Sequence, residues 1–373
     1  MTHTDLAQQR DGPSAWSEID ETAIRHNLRL IRRQAGLARV YVVCKGHGYG
    51  FDAARVARLA EQESMDAIAC GTFSDVVRIR DAGVTLPILL YATTLAEALP
   101  SISKLGVTVT AHDGHSLDVC LSNRLPFSLK LDSGFARLGF TESDVGLVER
   151  AAAEFPDVRP SGVYTHLSDA GDELAVRSQV ARFGAMTDRI SRAGWAGLER
   201  MVASSRILIS HPDLVLDAVN PGRAVYGELE PPYDQLFDSK PALAAVRANV
   251  IAVKRVTAGT KLGYAVNPVK RDTVIAVVPF GFANGYPRMP AGGTALLRGR
   301  LVDIIGPRHT EHTILDVSHL PEVEVGDVVT FLGKDGGREI TAAELVDRTG
   351  VPMIELVARL ASGSPASTTK PSP

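Results

Sequence analysis

The sequence predicts two domains: an N-terminal (β/α)8, TIM-like barrel over residues 14–240 and a C-terminal β-barrel domain over residues 241–361. The first prediction rests on about eight units in which a short apolar run precedes an amphipathic helical pattern. These runs are continuous rather than alternating, which is typical of parallel strands covered on both faces. An open, doubly wound sheet is the alternative, because periodicity alone does not show that a sheet closes.

The elements of the barrel follow in regular order. Asp20 is placed to cap a first helix, in which Ile24, Leu28 and Ile31 share one face. The predicted strands are residues 40–44, 67–70, 87–91, 107–110, 127–131, 162–166 and 201–203 and the run that begins at Ala218. The helical patterns between them include residues 53–60, 76–79, 95–105, 117–121, 143–155 and 174–193.

The composition of the apolar runs changes after about Lys240. The runs become rich in Val, Ile and Thr and are separated by Gly, Pro and Asp, which favours an all-β domain. We expect strands at residues 244–256, 273–278, 295–297, 301–305, 313–317 and 328–332, and helical segments at residues 342–348 and 353–360. The polar residues 1–13 and the Ser/Pro/Thr-rich residues 362–373 are predicted to be disordered tails.

Composition and charge exclude several classes of function. The 373 residues are 22% charged with a net charge of −3, so nothing indicates binding to nucleic acid or to a membrane surface. No apolar stretch approaches the roughly 20 residues that span a bilayer, and the N-terminus lacks a signal peptide. Cys44, Cys70 and Cys120 each lie in an apolar segment and have no metal-site spacing. The sequence therefore predicts a cytoplasmic protein with buried thiols and no metal.

Lys45 is the most informative single residue. It follows the apolar run 40–44 directly and opens the segment Gly46-His47-Gly48-Tyr49-Gly50. A buried strand end disfavours an ammonium, and a lysine that binds a carbonyl compound covalently loses that charge and gains a lowered pKa. A strand-end lysine that extends into solvent is the alternative.

Further motifs follow in order along the chain, and together they resemble the fold-type III alanine racemases, which depend on pyridoxal 5′-phosphate (PLP). The lysine segment is similar to the V-V-K-A-N-A-Y-G-H-G motif of that family. The later motifs are residues 130–139 (K-L-D-S-G-F-A-R-L-G), 164–166 (Y-T-H), 204–205 (S-S), 220–227 (N-P-G-R-A-V-Y-G), 263–265 (G-Y-A) and 280–288 (F-G-F-A-N-G-Y-P-R). The resemblance runs from about Trp16 to Ala361.

The resemblance implies roles for the matching residues. It makes Lys45 the lysine that binds PLP covalently, and one of two catalytic bases together with Tyr264 of the partner subunit. It places His166 behind or beneath the pyridine ring. It assigns the substrate carboxylate to Arg137, with a backbone contact from Thr310. The residues it implies at the cofactor phosphate are Tyr49, Ser205, Gly222 and Arg223.

The resemblance also implies an assembly and a supporting residue. The family acts as a head-to-tail homodimer whose active sites are shared between subunits, with a small amino acid as substrate. Lys130 corresponds to a lysine that is often carbamylated and that holds the substrate-binding arginine in place.

The sequence departs from the family around the cofactor and the substrate. Asn220 replaces the arginine at the pyridine nitrogen, Thr310-Glu311 replaces Met-Asp, and Phe282 replaces a tyrosine near the substrate entrance. A terminal tyrosine of the family has no counterpart, and Arg223 replaces a small aliphatic residue. The changes leave both bases in place but leave the choice of substrate open.

The sequence therefore predicts a PLP-dependent racemase of L- and D-alanine or a related small amino acid. Two alternatives stay open. One is a relative with a different substrate or with redirected carbanion chemistry, such as decarboxylation or retro-aldol cleavage, in specialised metabolism. The other is a non-catalytic PLP-binding relative.

Overall fold

The computed structural model describes residues 14–287, 292–320 and 322–368. The described chain forms two compact units. The barrel unit contains Ala23–Gly48 and Asp52–Lys240, and the sheet unit contains the residues up to Thr22, the short segment Tyr49–Phe51 and the residues from Pro241 onward. The first strand, β1 (Ala15–Ile19), belongs to the sheet unit.

Eight parallel strands close the barrel, which confirms the predicted fold class. Val40 of the first barrel strand pairs with Val219 of the last, so the sheet has no free edge and the open-sheet alternative is wrong. The strands, in order around the barrel, are β2 (Arg39–Val43), β3 (Ala67–Cys70), β4 (Ile88–Leu90), β5 (Val107–Ala111), β6 (Phe127–Lys130), β7 (Gly162–Tyr164), β8 (Glu199–Ala203) and β9 (Ala218–Val219).

Burial explains why the apolar runs of the barrel are continuous. All residues of β3, β4, β6 and β7 are buried, as expected for strands with barrel interior on one face and helices on the other. The first helix buries Ile24, Leu28 and Ile31 on the predicted face. Asp20 Oδ1 accepts a hydrogen bond from the Thr22 amide at 2.8 Å, in agreement with its predicted capping role.

Most helices lie at the predicted positions, but the short helices Ser205–Ser210, Arg223–Tyr226 and Tyr233–Leu236 were not predicted. The helix bounds are Glu21–Ala35, Ala53–Gln62, Phe73–Asp81, Leu99–Ser103, Gly114–Ser122, Val145–Glu154, Glu173–Ala193, Ser205–Ser210, Arg223–Tyr226, Tyr233–Leu236, Ala342–Thr349 and Met353–Ser362. Short 3-10 turns lie at Ala96–Ala98, Pro212–Leu214 and Phe282–Asn284.

The sheet unit is built on one ten-stranded, mainly antiparallel sheet. Its order is β11-β12-β15-β14-β13-β16-β10-β1-β18, and β17 pairs with β16 beside this path. The strands are β10 (Leu243–Asn249), β11 (Ala252–Val256), β12 (Thr273–Val278), β13 (Thr294–Leu297), β14 (Arg300–Ile305), β15 (Thr313–Asp316), β16 (Val328–Asp335), β17 (Arg338–Ile340) and β18 (Ala366–Thr368).

The structure corrects two of the predicted domain limits. The barrel was predicted to begin at residue 14, but β1 pairs antiparallel with β10 and so extends the other sheet. Residues 362–373 were predicted to be a disordered tail, but β18 pairs in parallel with β1, with Glu18 opposite Ser367. Both segments are short, and their order comes from pairing with distant strands, which local composition does not reveal. The predicted tail 1–13 lies outside the described residues.

Two further observations concern the expected protein class. Cys44, Cys70 and Cys120 are all buried and unbonded, as predicted, and burial raises the pKa of the Cys70 and Cys120 thiols to about 12. Among the described residues, no helix is long and apolar enough to cross a membrane.

Candidate active site

The carboxyl end of the barrel strands gathers most of the predicted site residues. Lys45 follows β2, Lys130 ends β6, His166 follows β7, Ser205 follows β8 and Asn220 follows β9. In (β/α)8 barrels this end carries the catalytic groups, because the loops that leave it are free of the constraints of packing.

A left-handed turn, Lys45–Tyr49, presents the lysine. Gly46, His47 and Gly48 have φ values of +61°, +56° and +66°, in the left-handed region that glycine adopts without strain. The turn begins where the Cys44 carbonyl accepts a hydrogen bond from the Gly48 amide at 2.9 Å. Gly71 leaves room beside it, since a Cβ there would lie 2.9 Å from Lys45 Cβ. Sequence reasoning identified the lysine but not the turn or Gly71.

Lys45 has a lowered pKa. Surrounding protein replaces water around its ammonium, and the positive charges of Arg137 and Arg223 disfavour that charge further. The residue is still more than a third exposed, so a ligand can reach it. A larger neutral fraction makes Lys45 a better nucleophile and base than an ordinary surface lysine.

Lys130 is more deeply buried, with only 8% of its surface exposed. Its Nζ donates a hydrogen bond to the Leu131 carbonyl at 3.3 Å and lies 5.1 Å from the centre of the Tyr164 ring. Burial lowers the pKa of Lys130 to about 7, with Asp132 opposing and Arg137 assisting the shift. Its amine is therefore substantially neutral at physiological pH.

The carboxylate of Asp132 organises the loop that carries Arg137. Oδ1 accepts hydrogen bonds from the amides of Gly134, Phe135 and Ala136 at 2.9, 2.9 and 3.1 Å, and Oδ2 accepts one from the Arg137 amide at 3.0 Å. Partial burial opposes ionisation of Asp132, but these four donors lower its pKa. The aspartate is a structural residue of the site whose role was missed from the sequence.

Arg137 and His166 both contact the Phe135 ring. The guanidinium carbon of Arg137 is 4.5 Å from the ring centre, and the His166 ring packs against Phe135 edge to face at 4.8 Å. Burial lowers the pKa of His166 to about 4, and the charges of Lys130, Lys45 and Arg137 contribute. The imidazole is therefore neutral near pH 7.

Two short helices meet at Ser205. Its Oγ accepts hydrogen bonds from the amides of Gly222 and Ala224, at 2.9 and 3.1 Å, so two backbone donors converge on one point. The Arg223 guanidinium bonds to Glu230 Oε2 at 2.6 Å, and Glu230 also pairs with Arg206.

Glu228, which sequence reasoning missed, is buried near this cluster. Burial raises its pKa to about 8, with Arg223 opposing the shift. The carboxyl is therefore largely uncharged at neutral pH.

Asn220 is also buried, with 8% exposure. Its Nδ2 donates a hydrogen bond to Tyr91 Oη at 3.2 Å, whereas Oδ1 has no hydrogen-bond partner within the described parts of the chain. Tyr91 was not recognised from the sequence, because a single tyrosine at a strand end carries no distinctive pattern.

The other predicted residues lie in the sheet unit. Tyr264 is 88% exposed, and its ring centre lies 5.6 Å from that of His309. The Thr310 carbonyl accepts a hydrogen bond from the Ala283 amide at 2.8 Å. Tyr49 ends the lysine turn in the left-handed conformation, with φ of +52°, and is partly buried.

Comparisons with known proteins cover nearly the whole chain. The family model described as "Alanine racemase, N-terminal domain" matches residues 19–230, and "Alanine racemase, C-terminal domain" matches residues 243–367. The alanine racemase of Desulforamulus reducens is 31% identical over 366 residues, which are 94% of this chain and 97% of that protein.

Solved structures are similar over the same extent. The alanine racemase of D-cycloserine-producing Streptomyces lavendulae has a TM-score of 0.86 at 26% identity, covering 97% of this chain and 98% of that one. The alanine racemase of Bartonella henselae, solved with covalently bound pyridoxal phosphate, has a TM-score of 0.84 at 19% identity, covering 96% and 100%. At that lower identity the likeness shows the shared fold alone.

Proposed function

This chain belongs to the alanine racemase family and is an amino-acid racemase, and from that premise we propose that it interconverts L- and D-alanine, or a closely related small amino acid, with PLP as cofactor. The observation that carries the proposal is the cluster of basic side chains at the barrel mouth. Lys45 and Lys130 there have lowered pKa values, and Arg137 contributes to both shifts. Such a cluster suits a negatively charged ligand that reacts with an amine.

The residues present fit PLP. The Ser205 hydroxyl, which the amides of Gly222 and Ala224 hold in place, and the nearby Arg223 guanidinium suit a phosphate dianion. Gly71 leaves space beside Lys45, and the unpartnered Oδ1 of Asn220 is a buried polar atom that a heteroaromatic ring can satisfy. When bound, PLP supplies an electron sink for the charge left on the α-carbon as its proton departs.

Inversion at the α-carbon needs one base on each face. We assign the face of the D-enantiomer to Lys45, whose lowered pKa favours the neutral amine. We assign the face of the L-enantiomer to Tyr264 of the partner subunit. The 88% exposure of Tyr264 supports this assignment, because a side chain so open to solvent is available to a second copy of the chain. The proposal therefore includes a homodimer.

Arg137 and Lys130 position the substrate carboxylate, Arg137 directly and Lys130 through Arg137. Arg137 binds the substrate carboxylate through its planar guanidinium, and the four hydrogen bonds to Asp132 fix the loop from which it extends. Lys130 supports Arg137. Because only a neutral amine reacts with carbon dioxide, the pKa of about 7 favours a carbamate on Lys130, which would be an anionic partner for that guanidinium.

The proposed location is the cytoplasm. Three buried, unbonded cysteines are consistent with a reducing compartment.

A second candidate function rests on Asn220. Its unpartnered atom is an acceptor, and an acceptor next to the ring nitrogen favours a protonated ring. With its ring nitrogen protonated in this way, PLP would be a stronger electron sink, which would favour fates other than simple reprotonation. Redirected carbanion chemistry is therefore the alternative to racemisation.

The deciding experiment is α-proton exchange in deuterated buffer, followed by NMR, with PLP-loaded protein. The panel contains the L- and D-forms of alanine, serine and the acidic amino acids. Deuterium incorporation with appearance of the opposite enantiomer supports racemisation and identifies the substrate. Loss of carbon dioxide or release of an aldehyde supports the second candidate. Absence of exchange, of carbon dioxide and of aldehyde throughout, with cofactor still bound to Lys45, refutes both for these substrates.

A substitution tests the base assignment. Tyr264→Phe should abolish exchange that starts from the L-enantiomer, because phenylalanine has no hydroxyl to carry the proton. The visible absorbance of the lysine-bound cofactor should remain, since Lys45 is unchanged. Exchange from L-alanine at the wild-type rate would refute the role of Tyr264.

A further inference from the structure

The ring of His309 packs against the ring of Tyr264. Their centres are 5.6 Å apart and their planes are inclined by 45°. Tyr264 is 88% exposed, so an otherwise open side chain has the imidazole of His309 as an aromatic neighbour. Sequence reasoning assigned no role to His309.

The backbone around His309 is held by hydrogen bonds. The His309 amide donates a hydrogen bond to the His312 carbonyl at 3.1 Å, and its own carbonyl accepts one from the Phe282 amide at 3.2 Å. Gly281 permits this approach, since a Cβ there would lie 2.3 Å from the His309 carbonyl oxygen. The main chain that carries the ring is therefore hydrogen-bonded on both sides of its peptide unit.

A second glycine, Gly263, lies in close contact with the His309 ring. A Cβ on Gly263 would lie 2.4 Å from His309 Cε1 and 2.7 Å from Nε2, and Gly263 has a φ of +53°. Next to it, the Ala265 amide bonds to the Leu262 carbonyl at 3.0 Å, which closes the turn that carries Tyr264. The imidazole thus contacts both the turn and the phenol that extends from it.

We propose that His309 is a positioning residue for Tyr264 in racemisation. The inference rests on the proposed function, in which Tyr264 transfers the proton on the face of the L-enantiomer. An exposed tyrosine samples several rotamers, and only one of them aims its hydroxyl at a given point. Packing against the His309 ring raises the population of one rotamer, and so raises the rate on that face only.

The size of the effect follows from the contact. Aromatic pairs of this geometry shift an equilibrium by about 2- to 10-fold beyond simple burial. His309→Ala should therefore slow the initial exchange of the α-proton of L-alanine by about 2- to 10-fold through kcat, with little change in KM. Exchange from D-alanine should stay at the wild-type rate, because Lys45 serves that face.

Two further variants separate positioning from general damage. His309→Phe keeps an aromatic ring next to Gly263, so its rate of exchange from L-alanine should be close to that of wild type, unlike the rate of His309→Ala. His319→Ala makes the same replacement at an exposed histidine of the same unit, and should change neither enantiomer's exchange. Circular dichroism and the visible absorbance of bound cofactor report whether each PLP-loaded variant is folded.

The measurement is the initial rate of α-proton exchange from each enantiomer in deuterated buffer. Loss confined to L-alanine, with recovery in His309→Phe, supports the proposal. Equal loss for both enantiomers, or no loss, overturns it. The Tyr264→Phe variant separates the proposed base from its proposed positioning residue. If Tyr264→Phe retains exchange from L-alanine, the assignment of Tyr264 as the base is wrong. If Tyr264→Phe loses that exchange but His309→Ala does not, only the role of His309 is wrong.

Discussion

Replacing Lys130 tests the claim that the fold holds this amine largely neutral. Lys130→Met keeps the length and apolar character of the side chain but removes the titrating group. The pKa of the amine is about 7 in the folded chain and 10.5 without burial. Between these values the unfolded chain binds one more proton than the folded chain, so the free energy of unfolding should rise with pH.

The expected magnitude follows from that difference. One extra proton corresponds to about 1.4 kcal/mol per pH unit. From pH 7 to pH 8.5 the wild-type chain should therefore gain about 2 kcal/mol relative to Lys130→Met. Below about pH 7 both states are protonated, and the difference between the two proteins should become constant.

Urea denaturation at fixed protein concentration and saturating PLP measures this difference, in buffers freed of carbon dioxide. Lys104→Met is the matched control, because Lys104 is exposed in the same unit and its replacement should leave the pH dependence as in wild type. With bicarbonate added, a carbamate on Lys130 should raise the stability of the wild type but not of Lys130→Met, and intact mass should show the adduct.

Parallel pH profiles for wild type and Lys130→Met would refute the reasoning. That result would mean that Lys130 is solvated in the folded chain, and that its depressed pKa is wrong. It would also remove the basis for the proposed carbamate, since an amine with an ordinary pKa is almost wholly protonated at pH 7.

The remaining predictions concern stability and substrate binding. Gly50→Ala should destabilise the protein by about 2–4 kcal/mol in urea denaturation, because Gly50 has a φ of +87° and a Cβ would lie 2.4 Å from the Ala358 carbonyl oxygen. Gly36→Ala, at a φ of +59° with open space around it, should lose only about 1–2 kcal/mol. Arg137→Lys should lower kcat/KM for alanine by about 10- to 100-fold in steady-state assays while leaving cofactor absorbance unchanged, because an ammonium cannot make the paired contact to a carboxylate.

Much of the fold was predictable because its signals are local. Each barrel strand is a short apolar run next to a helix with one apolar face. The number of such units favours a barrel, but closure itself is shown only by the pairing of β2 with β9. The pairing of β1 with β10 and of β18 with β1 was not predictable in the same way. The residues of β1, Ala-Trp-Ser-Glu-Ile, do not alternate between apolar and polar types, and the identity of a strand's partner across more than 200 residues is not a local signal.

The residues of the candidate site likewise fall into those that the sequence identified and those that it did not. Lys45, Lys130, Arg137 and His166 were found because each sits in a motif of several residues, and the structure brings them to one end of the barrel. Phe135, which joins Arg137 to His166, and Asp132, which fixes the loop, lie inside the same motif without an assigned role. Tyr91 lies outside every motif, and His309 lies next to Thr310 in a matched segment without an assigned role, so only their three-dimensional contacts identify them.

The charges of the barrel mouth connect stability to ligand binding. Lys45, Lys130 and His166 have lowered pKa values, and Arg137 contributes to each shift. These cationic groups disfavour one another's charge because they lie close together and are partly or fully buried. A phosphate dianion and a substrate carboxylate would each offset that repulsion, so that cofactor and substrate should stabilise the fold. The groups that lower the pKa of Lys45 thus also favour binding of an anionic ligand.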